Sequence, residues 1–335
     1  STGADVLFSG PDNDQTKSEH LLYMNNYSAV QDIKVTSPLP KKLFNPTLYP
    51  TRTIRSTVDD GSIQDKYRFF LSLDYKDNIT NDFFVAVRAN FSFATSKYEV
   101  FEELDYVSAG LPWRSRIGLN LSQPFGYIAE RLFIDEADIA NSPIQTFGDY
   151  MAGDIKYKDI NNDGIIDIND EVPIGYPTTP EIIYGFGTSA SYRNFDFSFF
   201  FQGSARSSFF VDAYNTSPFI DTSGSAIGNN ALLSAWANDH WSENDRNLYA
   251  SWPRLSDQLI DNNNRNSTWW LRDGAFLRLK SIEFGYSFAD KLTEKLGFSA
   301  GRVYVSGTNL LTFSKFKLWD IEMGGNGLGY PIQKG

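Results

Sequence analysis

A chain of 335 residues with 41% hydrophobic and 16% aromatic residues can bury a sizeable core, as one large or two ordinary domains. Its net charge of -11 and pI near 4.7 exclude nucleic acid as a partner, because phosphate contacts need clustered Lys and Arg; the lack of cysteine excludes disulfides, thiolate zinc sites and cysteine nucleophiles. Seven Trp, 18 Tyr and 27 Phe at a mean hydropathy of -0.35 place apolar residues between polar ones, a strand pattern rather than a blocky helical one.

No apolar run approaches the roughly 20 residues of a membrane helix, and the opening residues are not a secretion signal. Ser1 stands where an initiator Met would, so the sequence is expected to be a fragment. Residues 1–65 carry polar runs and the prolines Pro38, Pro40, Pro46 and Pro50, which argue for loops between short extended pieces and nothing firmer. From Lys66 the alternation is clear: Tyr67, Phe69, Leu71, Leu73 and Tyr75 share one face, with Arg68, Ser72 and Asp74 on the other and Phe70 the exception. After a short turn at 77–81, Phe83, Val85, Val87, Ala89, Phe91 and Phe93 alternate with Arg88, Asn90 and Ser92, so the two runs form an antiparallel hairpin.

A long interval from about Thr95 to Pro180 follows, with a short helix expected near 136–141. It contains an acidic turn in which Asp159, Asn161, Asp163, Asp167 and Asp170 supply oxygen donors at positions 1, 3, 5, 9 and 12, with Gly164 at position 6. Ile165, at position 7, would add its backbone carbonyl. Hard oxygen donors at this spacing suit calcium. The plain reading of the same residues is a set of Asx turns needing no metal; the number of donors at ligand spacing favours the cation.

A second hairpin puts Ile182, Tyr184, Phe186, Thr188, Ala190 and Tyr192 on one face and, past Arg193 and Asn194, returns with Phe195, Phe197, Phe199 and Phe201. Another long interval, Ser204 to Asp273, is rich in Ser, Asn and Trp, with a helical turn or two expected at 231–238. A third pair runs from Phe276 to Phe288, with a bulge expected near Lys280, and from Val303 to Leu311, joined through 291–300. Short and long connections alternate, so the long ones all fall at one end of the strands. Outer-membrane barrels have that asymmetry, with an apolar band facing lipid. Tyr67, Leu71, Val87 and Phe197 would then face lipid, and Arg68, Arg88 and Ser198 the lumen. Six strands fall below the barrel minimum of about eight, so the chain should be part of something larger. A soluble sandwich or propeller is the rival, but its turn signals recur every 8–12 residues or so, which favours the barrel.

Several motifs read as structural. Gly185 to Ala190 imitates a dinucleotide fingerprint inside an alternating strand, and Gly324 to Gly329 imitates a phosphate loop without opening a helix. His20 and His240 are the only histidines and lie far apart, and Glu102 and Glu103 point to opposite faces of an extended chain. No catalytic residue is assigned, so the chain is not expected to be an enzyme. Trp236, Trp241, Trp252, Trp269 and Trp270 could stack on sugar rings; packing of long loops against each other is the favoured role.

From Lys66 onward the chain resembles the C-terminal half of SusC/RagA-type TonB-dependent transporters of Bacteroidetes. The resemblance lies in Asp154 to Gly164, Val172 to Gly175, Tyr184 to Gly187, Phe195 to Ser198 with Phe201 to Gly203, Trp269 to Gly274 followed by Phe276 to Ile282, and Thr308 to Phe313. It implies an all-β, antiparallel transmembrane β-barrel of which residues 1–335 form a C-terminal portion, with 1–65 poorly assigned and no plug domain or TonB box in view. It further implies location in the bacterial outer membrane, contact with lipid, import of glycan (oligosaccharide) or peptide oligomers, a SusD-like lipoprotein over the extracellular side, and TonB acting through an N-terminal region outside this sequence. The sequence departs from the family at both ends, stopping before the expected aromatic-ended last strand. The rival function is a calcium-dependent surface adhesin or glycan-binding β-module, which would be soluble without detergent.

Overall fold

The computed structural model describes residues 45–57, of these the backbone only, and 63–220, 231–325 and 327. Alternating apolar and polar residues build a sheet of seven strands: β1 (Asn45–Thr57), β2 (Ile63–Thr80), β3 (Phe83–Val100), β4 (Ile182–Tyr192), β5 (Phe195–Ala205), β6 (Phe276–Ser287) and β7 (Arg302–Ser314). Each pairs antiparallel with its neighbour in chain order, giving an up-and-down meander. Among the described residues β1 and β7 are open edges, so this part of the barrel is not closed.

Register carries one apolar face across the sheet. Leu71 stands opposite Phe91, Phe91 opposite Tyr184, Phe186 opposite Phe201, Phe197 opposite Phe284, and Phe284 opposite Val305. The other face holds Ser72 and Asn90, Arg88 and Gly187, Ser198 and Glu283. Tyr67, Leu71, Val87 and Phe197 therefore share one face and Arg68, Arg88 and Ser198 the other, as the alternation predicts. The bulge expected at Lys280 is present: register slips between Leu279 and Ser281 against β7, and beside Phe200 against β5.

The edge strand β1 falls in the part of the sequence given no assignment. Pro46 and Pro50 stand opposite Leu73 and Phe69. A proline lacks the backbone N–H that a strand donates to its ladder, which makes it rare inside a strand. The same two residues broke the alternation that would have marked the strand. Residues 1–44 lie outside the described residues.

Strands β2 and β3 have 18 residues each, about 60 Å at 3.3 Å per residue, whereas a tilted strand needs only ~9–11 residues to cross hydrocarbon. The connections follow the expected order. β2 and β3 are joined at Asn81 and Asp82, and β4 and β5 at Arg193 and Asn194, with Arg193 at φ 53 donating its N–H to the Asp82 carbonyl at 2.8 Å. The β6–β7 connection contains a helix, Asp290–Lys295, where only a turn was expected. Residues 101–181 and 206–275 leave from the opposite end. The expected helices there are Glu136–Ala140, N-capped by the Asp135 carboxylate on the Asp138 N–H, and Ser234–Asn238.

The packed core lies outside the sheet. Tyr127, Leu132, Phe147, Ile155, Tyr157 and Ile166 from the first long connection meet Val211, Trp236, Trp241, Trp252 and Trp270 from the second, and Phe316 and Ile321 from the segment after β7. The two long connections thus fold on each other into a cap at one end of the strands. Among the described residues nothing packs over the apolar face of the sheet, where Val87, Phe186, Phe197, Phe284 and Val305 are exposed, while the apolar residues of the loops bury one another.

Candidate functional site

The acidic turn spans the stretch between the short strands Ile155–Tyr157 and Val172–Pro173. Gly164, at φ 85, and Asn162, at φ 60, take the left-handed backbone that reverses the chain. The Asp159 carboxylate accepts from the N–H of Asn162 at 2.6 Å and of Gly164 at 2.8 Å. Asn161 accepts from the Asp163 N–H at 3.1 Å, Asp163 from the Ile165 N–H at 2.8 Å, and Asp167 from the Asn169 N–H at 2.8 Å. These are Asx turns, in which a short side chain replaces a backbone acceptor. Asp170 is fully buried, and its oxygens accept from the N–H groups of Ile160 at 2.7 Å, Asn161 at 3.4 Å and Asp167 at 2.9 Å. Its role in this fold is to hold the two ends of the turn together. Among the described residues no three His, Cys, Asp or Glu side chains gather where one ion could touch them all.

A second polar cluster, invisible in the sequence, joins the two long connections. Asn262 and Asn263 lie in the 3-10 turn Asp261–Asn264 and are buried. The Asn262 amide donates to the Ile155 carbonyl at 2.9 Å and accepts from Gln145 at 2.6 Å, while Gln145 accepts from the Tyr157 N–H at 2.6 Å. The Asn263 amide accepts from the Ile155 N–H at 2.9 Å and donates to Asp154 at 2.8 Å, and its carbonyl takes the Trp270 indole N–H at 2.7 Å. Asp154 is fully buried, with the Arg254 guanidinium at 2.8 Å and the Met151 N–H at 2.9 Å. Burial pushes its carboxyl above the usual range, and Arg254 and the amide donors only partly oppose this. Burial also pushes the Tyr127 hydroxyl up to about 12. Around this cluster the backbones are bonded directly: Tyr127 N–H to the Asn266 carbonyl at 2.9 Å, Leu132 N–H to Leu248 at 2.9 Å, and Arg254 N–H to Gly153 at 3.0 Å.

The tryptophans complete the cap. Trp236, Trp241, Trp252 and Trp270 are buried, with Trp252 lying between Trp236 and Trp270 at ring separations of 4.8 and 4.9 Å, and Trp269 packs against the same core. The packing role holds: Trp236, Trp241, Trp252 and Trp270 present no open face to a sugar, and Trp269 is half-buried against them. His240 binds the Trp236 carbonyl through Nδ1 at 2.9 Å, and Glu103 accepts from the Arg116 N–H at 2.9 Å, so both are structural. Gly185 and Gly187 lie within β4. His20, and Asn326, Leu328 and Gly329 of the glycine-rich run, lie outside the described residues.

Ion pairs line the polar face of the sheet. Arg302 reaches both Asp196 and Glu283 at 2.5 Å, and Arg88 stands 3.7 Å from Asp74. At the cap end Arg278, fully buried, meets Asp320 at 2.5 Å and Glu322 at 2.8 Å, anchoring the segment after β7 to the sheet.

No protein-family model matches the chain. Among characterised proteins it is similar to TonB-dependent receptor P26 of Formosa agariphila, 33% identical over 197 residues, and to TonB-dependent receptor P3 of the same organism, 31% identical over 175 residues. It is also similar to TonB-dependent receptor SusC of Bacteroides thetaiotaomicron, 29% identical over 168 residues. These matches cover 55%, 52% and 50% of the chain but only 18%, 16% and 15% of the respective relatives, so the chain matches less than a fifth of their length. In fold it is similar to the RagAB peptide transporter, with a TM-score of 0.53 at 18% identity, covering 79% of this chain and 27% of that one. It is likewise similar to the RagAB peptide importer in the closed-closed state, with a TM-score of 0.54 at 20% identity, covering 87% and 32%. These relatives are receptors and transporters, not enzymes. Its antiparallel meander, with the long connections gathered at one end, has the fold of part of a RagAB-type barrel, and over about half its length the chain is similar in sequence to SusC-type TonB-dependent receptors.

Proposed function

We propose that the full-length protein is an outer-membrane importer of glycan or peptide oligomers, driven through TonB by a region outside this sequence and lidded by a SusD-like lipoprotein. The observation that carries this reading is the two-faced meander: its aromatic face is uncovered among the described residues and fits lipid, while the ion-paired face fits a water-filled lumen. A calcium-dependent adhesin would need that aromatic face buried in a core. Purification of the intact protein from its native membrane in mild detergent tests the proposal. A stoichiometric lipoprotein crosslinked to the cap supports it; a detergent-bound barrel that emerges alone overturns the lid, and solubility without detergent overturns the barrel.

Because the tryptophans are internal, the surface offered to a lid is the set of exposed apolar residues on the cap. Leu104, Val107, Ile144 and Ile168 are the ones we assign to it. We also propose that the turn 159–170 takes calcium. The donor spacing and the reversal at Gly164 support this, and the ion would replace some of the backbone amides now bound by Asp159, Asp163 and Asp167. Calorimetry should show a calcium heat that disappears in Asp159→Ala; no heat in the parent protein removes the cation and leaves the Asx turns.

A further inference from the structure

The connection between β6 and β7 carries apolar residues that neither the sheet nor the cap covers. In the helix Asp290–Lys295 and the residues after it, Leu292, Leu296 and Phe298 are 45%, 59% and 63% exposed, far from the cap and its core. Leu292 and Leu296, four positions apart, lie on one side of the helical turn. Thr293, one residue along, is buried.

The side of the sheet on which this turn lies follows from register. Tyr286 stands opposite Val303 on the aromatic face, and the Phe288 N–H donates to the Gly301 carbonyl at 2.8 Å, so Phe288 and Gly301 continue that face by one step. A Cβ added to Gly301 would lie 2.8 Å from the Phe288 ring and 3.7 Å from the Thr293 methyl. The helix is therefore drawn over the aromatic side, and a glycine is needed where Phe288 crosses it. Phe288 in turn meets Tyr286 edge-on at 5.8 Å. Tyr286 belongs to a row at the short-turn end of the strands, in which Phe83, Tyr192, Phe195 and Tyr286 stand opposite one another in successive strands. Ring separations of 6.4 Å for Phe83 and Tyr192 and 4.9 Å for Phe195 and Tyr286 mark contacts along it. Aromatic rows of this kind sit at the headgroup level of a bilayer.

We propose that the 288–298 segment is an interfacial anchor, with Leu292, Leu296 and Phe298 inserted at the headgroup and acyl boundary of the phospholipid leaflet at the short-turn end. The inference rests on the lipid-facing reading of the sheet and adds a site to it. Continuity selects lipid over a protein partner, since the exposed apolar turn extends the aromatic row on the same side of the sheet. Lys291 and Lys295, both exposed and without an ion pair among the described residues, have stems long enough to reach the headgroups from that depth.

The chain has no cysteine, so single cysteines at Leu296, Phe197 and Asn81 can carry an environment-sensitive fluorophore in the full-length protein, any cysteine elsewhere in it being replaced. The protein is reconstituted in phosphatidylethanolamine and phosphatidylglycerol vesicles, with nitroxides placed either high or low on the lipid chains. A label at Leu296 should lose more emission to the shallow nitroxide than to the deep one. The label at Phe197 should be quenched by lipid nitroxides, and that at Asn81 only by an aqueous quencher. A label at Leu292 repeats the measurement if Leu296→Cys disturbs the turn. If Leu296 behaves like Asn81 while Phe197 remains in lipid, the anchor is refuted and the barrel stands. If Leu296 is shielded from lipid and aqueous quenchers alike, a protein covers it and the anchor is again refuted. If Phe197 is also aqueous, the lipid-facing sheet itself fails.

Discussion

Replacing Asn263 by Ala should loosen the cap from within. Its side chain accepts from the Ile155 N–H at 2.9 Å and donates to the buried Asp154 carboxylate at 2.8 Å, across 108 and 109 residues of chain. Truncation leaves the Ile155 amide buried without that acceptor, at a cost of ~1–3 kcal/mol, and removes a hydrogen bond to a charged group worth ~1.5–3 kcal/mol. Asp154 keeps Arg254 and the Met151 N–H, so the cluster does not collapse outright. A loss of about 3 kcal/mol at the cap, near the low end of that sum, corresponds to roughly 150-fold faster amide exchange at Ile155 where the opening equilibrium sets the exchange rate. Hydrogen exchange on the detergent-solubilised full-length protein reads this at Ile155, with β3 and β5 amides as internal reference. Wild-type protection of Ile155 in Asn263→Ala would refute the claim that this pair holds the two long connections together.

On the sheet, Val87→Arg should cost ~2–4 kcal/mol of barrel stability in lipid if the position lies near the midplane; unfolding from vesicles measures it, and no change would mean that the faces are misassigned. The cap should also carry two opposing pH dependences. Hydrogen bonds from Arg131, the Ile134 N–H and Lys156 hold Asp138 well below the usual carboxylate range. Its contribution is therefore present above the ordinary Asp value and lost as pH falls through the lower folded one. Thermal unfolding should show this acid loss reduced in Asp138→Asn. Burial raises Asp154 instead, so its contribution is full below the ordinary Asp value and falls as pH rises through the folded one; Asp154→Asn should flatten that fall.

What could be read from the sequence was what strand physics writes locally. Period-two alternation gave β2 to β7, and the slip at Lys280 gave the bulge, because each depends on neighbours within a few residues. β1 escaped because Pro46 and Pro50 interrupt the alternation that marks the other strands. The Asn262 and Asn263 cluster escaped for a different reason. Its partners Gln145, Asp154 and Ile155 lie more than 100 residues away, and two adjacent asparagines in a polar stretch read as a loop until that loop is folded. In the acidic turn the donor spacing was plain, but the same oxygens serve a cation or the backbone, and spacing alone does not say which.

The buried tryptophans bear on how a lid would bind. Rings such as Trp236, Trp252 and Trp270, had they been exposed, would have been natural anchors at an interface. Packed against each other instead, they give the cap a core of its own, braced by the Asn263 cluster and by Arg278 on Asp320. A cap folded in advance spares a partner the entropic cost of ordering the described parts of two long connections, 101–181 and 206–220 with 231–275. The amides of Trp236, Trp252 and Trp270 should then be equally protected from exchange in the detergent-solubilised full-length protein with and without the proposed lipoprotein. Slowing on binding should be confined to the cap surface around Leu104, Val107, Ile144 and Ile168. Deprotection of the tryptophan amides when the partner is stripped away would show that the cap is ordered by its lid, and the internal core would then be a consequence of docking rather than its foundation.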